Sequence, residues 1–180
     1  MSNEAPDPLE TVRRFVNTYD HEDGTEELPD PAALTAWLDA NGCGAPAASA
    51  ADVRVAHDLR EALRAILQHH GGLELDPAAP GVVDAAAERA ELSVAFDDHG
   101  DALIAPRAGG VDGALGHLLV VIADAQRDGT WSRLKACPAE DCQFAFYDRS
   151  RNRSAVWCDM KVCGNRHKVR EFRARSGGQV

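Results

Sequence analysis

Four cysteines crowd into 27 positions of a 180-residue chain, between Cys137 and Cys163. Cys137-Pro138-Ala139-Glu140-Asp141-Cys142 and Cys158-Asp159-Met160-Lys161-Val162-Cys163 each read C-x4-C, with fifteen residues between the pairs. A short spacing lets one tight turn present two sulfurs to a single ion, and two such turns complete a tetrahedron. With all four positions taken by thiolates, no place remains for water or substrate, so the pattern reads as one structural Zn2+ per chain. Packed thiols, a redox pair and an iron–sulfur cluster are the other readings of the same residues. The segment has few large apolar side chains of its own, which favours a metal that supplies on the order of 10 kcal/mol toward folding. Lys135, Lys161 and Arg166 are near enough in sequence to offset the charge of a zinc tetrathiolate. Gly164 predicts a turn that a Cβ would resist. The fifth cysteine, in Asn41-Gly42-Cys43-Gly44, reads as an unpaired thiol.

Two basic elements accompany the cysteines. Arg149, Arg151 and Arg153 alternate along a loop, a compact positive tip. Arg166, Arg170 and Arg173 fall at i, i+4 and i+7 of an expected helix over 165–175, with Lys168 and Arg175 flanking an apolar face of Val169 and Phe172. Guanidinium groups in this density suit phosphates and base edges, which makes these residues candidates for nucleic-acid contact. The alternative is that they only solvate the module and neutralise the metal cluster.

The elements that must position these residues divide at about residue 130. Residues 1–130 carry 8 Lys+Arg against 24 Asp+Glu, a net of −16; residues 131–180 carry 11 against 5, a net of +6. Such a split suggests two parts with different partners. In the acidic part, helical spacing links Leu9, Val12, Phe15, Val16 and Tyr19. Asp30-Pro31 caps a short helix with Leu34, Trp37 and Leu38, and an Ala/Pro-rich loop follows it. Val55, Leu59, Leu63, Ile66 and Leu67 predict a longer helix ending at Gly71-Gly72, and Val82 to Ala90 another. The period then changes to two strands at 92–96 and 102–105 around a turn, before a helix through Leu115, Leu118 and Ile122 that closes at Asp128-Gly129. In the basic part, strands are expected at 143–147 and 154–157. The fold class is therefore α+β: a mainly helical N-terminal domain with a β-hairpin over 1–130, then a small zinc-ribbon or treble-clef-like finger over 131–176 ending in a basic helix.

Hydrophobic residues make up 44% of the chain and charged ones 27%, ordinary for a globular protein. No segment approaches the roughly 20 apolar residues of a membrane span. The acidic start, MSNEAPDPLE, lacks the basic end and apolar run of a signal peptide, so a cytoplasmic location without membrane association is expected. Residues 1–130 contain no glycine-rich phosphate loop, nucleophile elbow or His/carboxylate cluster at metal spacing, and an enzyme is not expected.

With these residues in hand, the chain resembles the bacterial CGNR zinc-finger family, whose naming motif stands as Cys163-Gly164-Asn165-Arg166. Cys137-Pro138 with Cys142, and Arg149-Ser150-Arg151-Asn152, are similar to the same finger. Phe15-Val16-Asn17-Thr18, Leu34-Thr35-Ala36-Trp37-Leu38 and Leu59-Arg60-Glu61-Ala62-Leu63-Arg64 resemble the ABATE domain that precedes it. Arg13-Arg14 depart from the Leu-Asp more usual before Phe-Val-Asn. The resemblance implies a stress-related transcriptional regulator in which the finger meets DNA, or alternatively RNA. It also implies a regulatory or ligand-sensing N-terminal half that answers to a small-molecule effector. Asn17 and Thr18 are then candidate ligand or regulatory residues, or else polar contacts internal to the helices. One small finger makes few phosphate contacts, so a homodimer would help. A rival reading keeps the finger as a protein-interaction module, docked on an acidic partner or on its own N-terminal domain.

Overall fold

The computed structural model describes residues 3–44 and 47–177, so Ala45 and Pro46 of the Ala/Pro-rich loop lie outside the described residues. Local chemistry sets the helix starts. Asp30 accepts a hydrogen bond from the Ala33 amide (2.9 Å) and Pro31 follows it, opening α2 (Pro31–Ala40). Ser49 and Asp52 cap each other reciprocally at the head of α3 (Ala50–His70), the longest helix. Before them lies α1 (Leu9–Val16), and after them α4 (Ala79–Arg89) and α5 (Gly110–Asp128). Gly129 ends α5 at φ +78°, a left-handed position that glycine adopts without steric cost.

Between α4 and α5, β1 (Leu92–Phe96) pairs antiparallel with β2 (Ala102–Pro106), placing Val94 opposite Ile104. A second antiparallel pair joins β3 (Leu134–Ala136) to β4 (Ala145–Tyr147), with Lys135 opposite Phe146. The chain closes with α6 (Asn165–Gly177). The architecture is α+β, as the changes of hydrophobic period imply.

The apolar stripes of the helices meet in one core. Leu9, Val12, Phe15 and Val16 of α1 pack with Leu34, Leu38, Leu59, Leu63, Leu67, Leu115 and Leu118. Leu134, Ala136 and Ala145 belong to that same core, so the β3–β4 pair is seated on the helices, chiefly against α3. A separate small cluster of Cys137, Ala139, Cys142 and Cys163 lies beyond it, flanked by Phe144, Trp157 and Cys158. Among the described residues, no helix is long and apolar enough to cross a membrane.

Three expectations are changed by the structure, each for a physical reason. Residues 154–157 form no strand; the partner of β4 is β3 instead. The Arg153 and Ala155 carbonyls are taken by the Lys135 ammonium (2.7 and 2.9 Å) and the Ala155 amide by Asp148 (2.9 Å), so side chains replace the ladder. The strand at 143–147 is shortened because Gln143 takes φ +52° as the chain leaves Cys142. The apolar face of α6 is present but uncovered: Val162, Val169 and Phe172 are 43%, 47% and 69% exposed.

Candidate metal centre and basic surface

Two local structures bring the four thiols together. The turn between β3 and β4 carries Cys137 and Cys142, and is closed by hydrogen bonds from the Cys137 amide to Phe144 O (3.0 Å) and from the Cys142 amide to Ala139 O (2.9 Å). A π-helical turn, Met160–Gly164, leads from Cys158 to Cys163 and into α6. Asp159 caps it by accepting from the Lys161 and Val162 amides (2.6 and 3.2 Å). One pair on a hairpin turn and one at the head of a helix is a treble-clef arrangement.

All four sulfurs lie within 4.8 Å of one another. The Cys142–Cys158 and Cys158–Cys163 separations are 3.5 and 3.7 Å. Zinc–thiolate bonds of about 2.3 Å at tetrahedral angles place sulfurs about 3.8 Å apart, so the cage fits the ion. Cys137, Cys142 and Cys163 are buried and Cys158 half-buried, leaving no open face for a substrate. Crowding makes the thiols interdependent. Hydrogen bonds from the Cys142 and Cys158 thiols pull Cys137 down to about 2, and the bond to Cys137 pushes Cys142 up to about 12. Four thiolates cannot coexist there without a cation to neutralise them. Iron–sulfur chemistry is not needed to account for four sulfurs at single-ion spacing.

Two family models match the chain. Residues 10–128 match ABATE, described as "Putative stress-induced transcription regulator", and residues 133–176 match the CGNR zinc finger. The chain belongs to the ABATE family. It joins that domain to a CGNR finger, and the finger's cysteine cage holds one structural zinc. Neither description names an enzyme. No curated protein matches the chain.

In this ABATE–CGNR protein, Lys135 does not offset the metal charge. It is buried against Asp148 (2.8 Å), and with its contacts to two carbonyls it pins the loop that carries the arginines. Burial alone would raise Asp148, but Lys135 and the Ser150 and Ala155 amides hold its carboxyl below the usual range. Gly164 ends the π-helical turn, and close packing excludes a side chain there: a Cβ would lie 2.5 Å from the Met160 sulfur and 3.3 Å from the Trp157 ring.

The basic residues occupy two surfaces. Arg149 lies over the Tyr147 ring and donates to Glu4 O (3.0 Å), Arg151 is exposed at the loop tip, and Arg153 reaches Ser132 (3.4 Å). On α6, Arg166 pairs with Glu22 of the ABATE domain and, at 3.7 Å, with Asp141; Arg170 pairs with Asp141 at 2.6 Å. Lys168 and Arg173 are exposed. The Arg175 side chain lies outside the described residues. Lys161 lines the groove along α6 with Arg166, Arg170 and Arg173, and also the groove beside Arg149, so it bridges the two surfaces. In sequence Lys161 stands between two ligands and reads as a charge for the metal; its place between the two grooves depends on the fold.

Asn17 and Thr18 are engaged in structure. Asn17 donates to Ala145 O (2.9 Å) and accepts from the Ala145 amide (2.7 Å), clasping β4 as a neighbouring strand would. Thr18 is buried, donates to Phe15 O and accepts from Arg60. A charge network built on two buried arginines adjoins them. Arg60 forks onto Glu26 (2.7 and 2.8 Å). Arg64 joins Glu61 (2.9 Å) to the Val16, Tyr19 and Gln143 carbonyls. Burial would raise Glu61, yet Arg64 and Arg60 outweigh it and hold the carboxyl below its ordinary range. Arg64 thereby ties α3 to the residue following Cys142.

Proposed function

We propose that this ABATE–CGNR protein is a nucleic-acid-binding transcriptional regulator whose finger lays the outer face of α6 on DNA. The observation that carries it is the groove of about 500 Å³ along that helix, where Lys161, Arg166, Arg170 and Arg173 interleave with exposed Val162 and Val169. Helices α1, α3 and α5 bury leucines and valines in the core, whereas this face lies open beside four cations, a composition suited to phosphates with sugar or base edges between them. Zinc is structural in this reading: it fixes the angle at which α6 leaves the finger. The exposed arginine tip at Arg149, Arg151 and Arg153 supplies further phosphate contacts, and Lys168 adds to them. Two copies would double the contacts. The helical domain is the regulatory part.

A second reading has one observation in its favour. The Arg166–Glu22 bridge joins the basic helix to the acidic domain, as an intramolecular docking surface would. Exposed pairs of this kind are weak and screened by salt, so phosphates compete with them readily.

Titrating zinc-loaded protein with duplex DNA at several salt concentrations tests both. The DNA reading expects affinity to fall steeply as salt rises, Arg166→Glu with Arg170→Glu to abolish binding, and Glu22→Gln to strengthen it. Binding to RNA alone would change the partner, and negligible binding to every nucleic acid would leave the docking reading.

A further inference from the structure

A cleft of about 440 Å³ opens where the ABATE domain meets the finger, within the range of small-molecule sites. Arg13 and Arg14 of α1 contribute positive charge to its lining, while Asp20, Asp23 and Glu27 of the α1–α2 connection contribute negative charge. Trp37 and Phe144 supply aromatic surface. Among the described residues, the side chains of Arg14 and Glu27 make no hydrogen bond or ion pair, so both remain available. Asn41 lines the same cleft, and its Oδ1 is buried without a hydrogen-bond partner.

The charge pattern selects the ligand. A simple anion would meet three carboxylates, and a simple cation would meet two guanidinium groups. A zwitterion satisfies both sides: a carboxylate on Arg14, an ammonium toward Glu27 and Asp23, and an apolar side chain against Trp37 and Phe144. We infer that this cleft is the effector site of the regulatory reading above, on which its signalling role rests, and that it takes a free α-amino acid with an apolar side chain.

The route from this site to the metal is short. Phe144 packs against the thiol cluster, and its carbonyl accepts the Cys137 amide at 3.0 Å. Asn17, also in the lining, holds Ala145 on both its amide and its carbonyl. An occupant therefore presses on the turn that carries the first two ligands, and biases how the finger sits on the helices.

The test uses zinc-loaded full-length protein, with each standard L-amino acid at millimolar concentration, read by thermal shift and by calorimetry. At least one apolar amino acid raises the melting temperature, and its decarboxylated amine and its N-acetyl derivative do not. Arg14→Ala and Glu27→Gln, both exposed, leave the ligand-free melting temperature in place and weaken binding about tenfold or more. Absence of binding by every amino acid overturns the assignment, as does binding that survives both substitutions unchanged. Nucleic-acid binding is measured separately without ligand. Its failure with amino-acid binding intact removes the DNA reading and leaves the site, while the converse removes the site alone.

Discussion

Replacing Asn17 by alanine should loosen the finger from the helices. The side chain makes two hydrogen bonds to one buried residue, accepting from the Ala145 amide at 2.7 Å and donating to its carbonyl at 2.9 Å. The orphaned amide costs about 1–3 kcal/mol; the carbonyl costs about 1 kcal/mol more. What that carbonyl retains is only a long contact from Arg13, at 3.4 Å. A total of about 2–4 kcal/mol corresponds to a melting temperature lower by about 5–15 °C for a chain of this size. The zinc-loaded protein is melted alongside Asn17→Asp, which keeps the acceptor but loses the donor and should also destabilise. Zinc release to a chromogenic chelator should quicken in both variants, because Ala145 lies three residues past Cys142. Melting within about 2 °C of wild type, with unchanged zinc release, would refute the clasp.

Three further outcomes follow from the same contacts. Chelating zinc should abolish the near-UV signal of Trp157, which packs on the cysteine cluster, while far-UV helicity of α1–α5 persists on its separate core. Lys135→Met strands the Asp148 carboxylate and two carbonyls in the interior, and should cost about 3–5 kcal/mol in urea unfolding. Adding Asp148→Asn to it should recover part of that loss. Burial holds His70 below its ordinary pKa, as it does His21, so the unfolded chain binds more protons around pH 6. Stability is present above the unfolded pKa of about 6.5 and is lost as pH falls toward the folded value. His70→Gln, measured with excess zinc between about pH 7 and 5, should flatten that slope.

Much of this was legible because it is local. Helix caps at Asp30 and Ser49, the period change at Leu92 and the twin C-x4-C spacing depend on residues within a turn or two of one another. What eluded sequence reading was long-range. Nothing near Lys135 announces that its ammonium takes the Arg153 and Ala155 carbonyls, so a return strand looked natural at 154–157. Asn17 and Ala145 are 128 positions apart, and only the packing of α1 beside β4 turns a motif asparagine into a clasp. The face of α6 misled for a related reason: Val162, Val169 and Phe172 have helical spacing, but no element of the described residues covers them.

The amino-acid sequence by itself determined the α+β class, the helices and the four sulfurs, because spacing along the chain dictates which residues one turn presents together. Only the tertiary structure decided that β3 and β4 sit in the helical core, that Glu22 meets Arg166, and that a mixed-charge cleft forms against Phe144. Those depend on surfaces far apart in the chain, and their meeting is governed by burial of apolar area and by buried charges finding partners, neither of which leaves a local mark.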